Sequence, residues 1–231
     1  YGSLTRMKID NMREEHHERV IKNASEMAKQ QKQEEKKVEF KENGFISVSV
    51  GDGLTDLFHE LGVDEVIEGG QTMNPSTEDI LGAIEKIPAK NIYILPNNGN
   101  IILAAQQAKD LTKDKAVHVI PTKNIPQGIA AMINYMGGQS NEENKANMES
   151  EMLQIRSGQV TYAVRDTVID DKEIKQGDYM GIGDKSILAV GKDIKSTTED
   201  MVAEMVDEES AIICIYYGEE VTEEDAHALG A

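Results

Sequence analysis

Ile92-Tyr93-Ile94-Leu95-Pro96-Asn97-Asn98-Gly99-Asn100-Ile101 reads as a buried strand, a polar loop and the first residue of a helical face. Four apolar residues in a row, β-branched and aromatic among them, are the pattern of a strand covered on both faces. Pro96 and the Asn-Asn-Gly-Asn run end it. Ile101, Ala104, Ala105, Ala108 and Leu111 then recur at helical spacing. The same alternation surrounds this stretch. Phe45–Val50 leads through Gly51-Asp52-Gly53 into a short helical run, Leu54–Leu61. Val66-Ile67 leads through Gly69–Pro75 to Ser76, which caps a helix with Asp79 at its third position. Ile80, Leu81, Ile84 and Ile87 form that helix's buried face, and Pro88 stops it. Val117–Ile120 is followed by Pro126, which opens a further helix ended by Gly137-Gly138. Four βα units in succession predict a mostly parallel sheet with helices on its faces.

Beyond this run the pattern changes. Residues 141–156 read as a connecting helix. Val160–Val164, Tyr179–Ile182 and Ser186–Val190 read as antiparallel strands, the last two joined by a tight Gly183-Asp184-Lys185 turn. Ser196-Thr197-Thr198-Glu199 has the form of a capping box before Met201, Val202, Met205 and Val206. Ala211–Tyr217 predicts a buried strand, and Thr222 starts a last helix. At the other end, Asn11 and Glu14 open a polar helical segment with a thin stripe of Met12, Val20, Ala24 and Met27. The fold class is therefore α/β in two lobes. A helical arm over 1–42 precedes a mostly parallel βα-repeat lobe over 43–140, and a mixed or antiparallel α/β lobe occupies 141–231.

The 231 residues carry 42 Asp and Glu against 24 Lys and Arg, a net charge of −18. The three segments contribute +1, −5 and −14 in chain order. A surface this acidic repels phosphate backbones and anionic headgroups, and without Trp there is little to stack a base upon. Nucleic acid and direct membrane insertion are excluded as partners. The single cysteine, Cys214, rules out an internal disulfide and reads as a buried structural thiol, so a cytoplasmic location is expected. The start, Tyr1-Gly2-Ser3, shows neither signal peptide nor initiator Met, as expected of a piece of a longer protein.

In a parallel α/β sheet, ligands sit beyond the carboxyl ends of the strands. The loops expected there supply Gly51, Asp52, Gly53, Gln71, Thr72, Asn74, Ser76, Asn97, Asn98 and Asn100, with Pro121–Asn124 beside them. These are amides, hydroxyls and glycines at helix N-termini, suited to a polar or anionic group. Helix capping and turn formation account for the same residues. Neither phosphate-binding loop motif occurs, and His16-His17 lacks zincin spacing. Asp170, Asp171, Glu173, Asp178 and Asp184 lack calcium-loop spacing and read as a solvated face. No catalytic or metal-binding residue is expected: the residues point to a binding module.

Gly2–Arg13, Gly69-Gly70-Gln71-Thr72-Met73-Asn74-Pro75-Ser76-Thr77, Leu95-Pro96-Asn97-Asn98 and Gly177-Asp178-Tyr179-Met180-Gly181 together resemble the C-terminal domain of the bacterial fatty acid kinase catalytic subunit. That subunit belongs to the dihydroxyacetone-kinase-like proteins. The resemblance implies an N-terminal domain binding ATP and Mg, a middle domain, and this C-terminal domain engaging a separate fatty-acid-binding subunit. The bound fatty acid becomes an acyl phosphate that feeds phospholipid synthesis, and homodimerisation of the full-length protein is left open. On this reading the present chain alone holds no cofactor and does not catalyse. The domain also resembles DegV-like fatty-acid-binding proteins, in which a turn at the place of Asn74-Pro75-Ser76 helps hold a fatty acid carboxylate. The alternative is therefore a small-molecule or fatty-acid-binding module in its own right.

Overall fold

The computed structural model describes residues 40–70, 73–170, 172–184, 186–208, 210–218 and 221–229. The helix expected in the arm lies, up to residue 39, outside the described residues. Lys41 already opens a strand.

The first lobe runs β1 (Lys41–Ser49), α1 (Asp52–Glu60), β2 (Glu65–Glu68), α2 (Thr77–Lys86), β3 (Ala89–Leu95), α3 (Ile102–Leu111), β4 (Ala116–Val119), α4 (Ile125–Ile133) and α5 (Asn141–Met152). Its four strands are parallel in the order β2-β1-β3-β4, as the βα repeat predicts. Successive side chains on a strand point to opposite faces, so β1 and β3 feed two cores. Ile46, Val48, Ile92 and Ile94 pack under Ile80, Ile84, Ile101 and Ala105 of α2, α3 and the residue before it. Phe45, Tyr93 and Leu95 pack under Phe58, Ala131, Met132, Met148 and Met152 on the other side. That double burial is why Ile92–Leu95 is continuously apolar.

Helix ends are capped by their own sequence. Ser76 and Asp79, and Ser140 and Glu143, form reciprocal capping boxes on α2 and α5. The hydrogen bonds from Ser76 and Ser140 hold the Asp79 and Glu143 carboxyls below their usual range. Asn124 caps α4 with Pro126 in its first turn. The Lys115 ammonium sits on the Ile84 and Ile87 carbonyls, where the negative end of the α2 dipole favours a cation. Asn144, fully buried, accepts from the Met136 N–H (2.8 Å) and donates to the Met136 carbonyl (3.0 Å), anchoring α5 to the turn before it.

The second lobe holds β5 (Gln159–Tyr162), β6 (Thr167–Ile169), β7 (Lys172–Ile174), β8 (Tyr179–Ile182), β9 (Ile187–Gly191), α6 (Ile194–Met205) and α7 (Glu223–Leu229). β5-β8-β9 form an antiparallel sheet and β6-β7 a hairpin. Its core is built around Ala163, Ile174 and Ile187. No helix among the described residues is long and apolar enough to cross a membrane.

Four expectations change here. Asp193 caps α6 by accepting from the Ser196 N–H (2.9 Å), one turn before the expected box, because Thr197 is buried with its hydroxyl on the Asp193 carbonyl. Asp178 is not on a solvated face. It is 5% exposed, paired with Lys192 and bonded to the Lys175 N–H, which together hold its carboxyl below the usual range. Ala211–Tyr217 joins no sheet among the described residues, and Ile212 is 83% exposed. Cys214 within it is exposed for the same reason: no neighbouring strand covers this apolar segment.

Phe45, Tyr93 and His118 form a stack across β1, β3 and β4, with centroids 5.3 and 5.0 Å apart, and Tyr135 closes it edge-on. Burial first, then Lys109 and Lys145, lower the His118 pKa against the opposing pull of Glu142. Its Nε2 is buried without a hydrogen-bond partner, so a proton there goes unpaired. The unfolded chain, with a pKa of 6.5, then binds more protons than the folded one. The stability present above pH 6.5 is lost as pH falls through the lowered folded value. Denaturant midpoints should drop between about pH 7 and 5, and His118→Phe should flatten that slope. An unchanged slope would remove His118 as its source.

Candidate functional site

Strand order reverses between β1 and β3. β1 runs on into α1 over the face that α4 and α5 cover, and β3 into α3 over the opposite face. Such a divergence opens a crevice at the carboxyl ends, and the expected loops converge there.

Asn97 fills its floor. The residue is 8% exposed with φ of 53°, a left-handed conformation that asparagine tolerates better than other side chains bearing Cβ. Its Nδ2 donates to Ser47 Oγ (2.9 Å) and to the Val48 carbonyl (3.0 Å) on β1. Its Oδ1 accepts from Thr122 Oγ1 (2.8 Å), which in turn accepts from the Asn97 N–H (3.0 Å) after β4. Both amide hydrogens are thus committed to the fold. A Cβ at Gly128 would lie 2.1 Å from Asn97 Oδ1, so α4 can approach only through a glycine.

Above this floor the rim is polar. Gly69 packs so closely that a Cβ would sit 2.7 Å from Pro75 Cδ and 3.0 Å from Val48 Cγ1. Its N–H donates to the Ser49 carbonyl (3.0 Å), and the Gly70 N–H donates to the Met73 carbonyl (2.9 Å). Asn98 Nδ2 reaches the Gly70 carbonyl (3.3 Å) and Asn74 Oδ1 (3.5 Å), joining the two loops. Asn98 Oδ1 accepts from the Asn100 N–H (2.9 Å). Asn74 and Asn100 are exposed, and Ser76 is committed to its cap. Gly51, Asp52 and Gly53 are exposed at the start of α1, whose N-terminus has no side-chain cap. Gln71 and Thr72 lie outside the described residues. On the far side, Asn124 Nδ2 donates to Ser157 Oγ (2.7 Å), which in turn donates to Asp184 Oδ1 (3.1 Å). The second lobe's β8–β9 turn therefore borders the same edge.

Ser47, Thr122 and Gly128 are the residues that sequence reading left out of the site. A serine in the middle of an apolar strand, in Phe45-Ile46-Ser47-Val48, was the available signal. The rim supplies amide and hydroxyl groups, chemistry for holding a polar group by hydrogen bonds.

Gly128→Ala should cost about 1–3 kcal/mol by overpacking. Asn97→Ala, which strands two buried hydroxyls, should cost about the same. If the two groups compete for one space, the double variant should be no less stable than Asn97→Ala alone, measured by urea unfolding. Simple additivity would show that the contact does not hold α4. Ser76→Ala should cost about 1 kcal/mol through its lost cap, and a stability equal to the parent's would mean that α2 does not depend on it.

The FakA-like C-terminal family, the C-terminal domain of fatty acid kinase proteins, matches residues 44–231. Protein YloV of Bacillus subtilis (strain 168) is 44% identical over 231 residues, all of this chain and 41% of that protein. Uncharacterized proteins of Staphylococcus aureus strains USA300 and NCTC 8325 are each 43% identical over 220 residues, 95% of this chain and 39% of theirs. The chain thus spans about two fifths of the length of these relatives. A match over nearly the whole of both lobes leaves one assignment: the chain belongs to the FakA-like C-terminal family of fatty acid kinase proteins.

Proposed function

We propose that this chain is the non-catalytic C-terminal domain of a fatty acid kinase. It binds the fatty-acid-loaded carrier subunit so that an N-terminal ATP- and Mg-binding domain of the same polypeptide phosphorylates the carboxylate to an acyl phosphate. The observation that carries this reading is the family match over residues 44–231 in a chain that spans only two fifths of its relatives' length. The rim is consistent with it. Gly51, Asp52, Asn74 and Asn100 are exposed at one edge, where a protein surface could meet them, while the floor beneath is held by its own hydrogen bonds.

A second reading, a ligand-binding module of the DegV-like kind, is favoured by one observation. Ser49, the last residue of β1 and 2% exposed, has a hydroxyl with no hydrogen-bond partner among the described residues. A buried hydroxyl left unmatched costs free energy that a bound polar group would recover. Stoichiometric lipid seen by native mass spectrometry on the purified chain would favour this module.

The test of the main reading is titration of the chain against the loaded carrier. The −14 of residues 141–231 should speed encounter with a basic carrier surface. Association rate constants should then fall with rising salt while dissociation changes little. Absence of binding would overturn the recruiting role, and a salt-independent association rate would overturn electrostatic steering. ATP-dependent acyl phosphate formation by residues 1–231 alone would show the domain to be catalytic.

A further inference from the structure

Ala211-Ile-Ile-Cys-Ile-Tyr-Tyr217 has the composition of a strand buried on both faces, yet it lies in the open. Ile212 and Ile213 are 83% and 59% exposed, and Ile215, Tyr216 and Tyr217 also stand in solvent. In an extended backbone Ile212, Cys214 and Tyr216 share one side and Ile213, Ile215 and Tyr217 the other, so both faces are apolar. The chain order β9, α6, Ala211–Tyr217 is that of a βαβ crossover, with α6 packed on β8 and β9, but the segment pairs with no strand among the described residues. Exposed strands are normally protected by an internal charge or proline, and between 211 and 217 there is neither. Contiguous apolar surface of this kind marks an interaction site.

The flanking charge says what kind of partner fits. Asp207, Glu208 and Glu209 precede the segment, and Glu219, Glu220, Glu223, Glu224 and Asp225 follow it. From Ser196 to Ala231 there is no lysine or arginine. Two copies paired edge to edge would set acidic flank against acidic flank, which is destabilising. We propose that Ala211–Tyr217 is a docking strand that adds to the apolar sheet edge of a separate protein, one whose edge strand is bordered by lysine or arginine. Main-chain hydrogen bonds supply the pairing, the two apolar faces supply burial, and the acidic flanks select the basic partner. Nothing in this docking requires the carrier subunit.

The probe is a labelled peptide of alternating valine and threonine with two lysines at each end, followed by fluorescence anisotropy on the whole chain. The peptide should bind at low salt and slow amide exchange over 211–217. Ile213→Glu with Ile215→Glu should weaken binding by about tenfold or more. Glu219→Lys with Glu220→Lys, which leaves the apolar segment intact, should weaken it too, as should a glutamate-flanked peptide. Circular dichroism confirms that the variants fold. Three results would each overturn the proposal. One is failure to bind, or equal affinity for the lysine- and glutamate-flanked peptides. Another is slow exchange over 211–217 in the free monomer, which means the chain covers the segment itself. The third is a dimer by light scattering that the Ile213 and Ile215 changes dissolve, which makes a second copy the occupant. A carrier that fails to bind while the peptide binds sinks only the kinase reading.

Discussion

One carboxamide holds the carboxyl edge of the parallel sheet together. Asn97 spends its two N–H groups on β1 and its oxygen on the hydroxyl that follows β4, so a single side chain spans three strands. Burying an amide costs free energy unless every polar atom finds a partner, and here the backbone bends into a left-handed turn to arrange it. The remaining features follow from that geometry. Thr122 must carry a hydroxyl, Ser47 must interrupt an apolar strand, and Gly128 must lack a side chain where α4 comes down on the amide. The rim loops are then presented from a floor that cannot easily shift.

The alternation of strands and helices was plain in the amino-acid order because β1 and β3 are covered on both faces. Such strands show as unbroken apolar runs, and the helices between them show a helical period. The caps at Ser76, Ser140 and Asn124 were signalled by residue type or spacing, since capping is a local interaction. What escaped depends on distance. Asn97 looks like any loop asparagine until Ser47 and Thr122, 50 and 25 positions away, are brought beside it. Asp178 looked solvated because its partner Lys192 arrives only when β8 and β9 pair. The cap of α6 fell at Asp193 in place of Ser196 because a buried threonine fixed which turn came first.

Ala211–Tyr217 is the opposite case. Its local pattern is a strand's, and burial is what the surrounding structure fails to supply. Pattern reports what a segment needs, whereas structure reports what it receives. The candidate site divides along the same line. Its exposed loop residues were legible, while the buried residues that fix their positions were not.

The two lobes are built on very different amounts of interior. The first has a core on each face of its sheet, and the second is centred on Ala163, Ile174 and Ile187. Between them runs the Asn124–Ser157–Asp184 chain of hydrogen bonds. Local opening takes least free energy where few apolar contacts must be broken. Heating should therefore release the second lobe as its own cooperative unit, with the first still intact. Anything that grips the second lobe alone would stabilise only that unit by mass action, drawing two calorimetric transitions together into one.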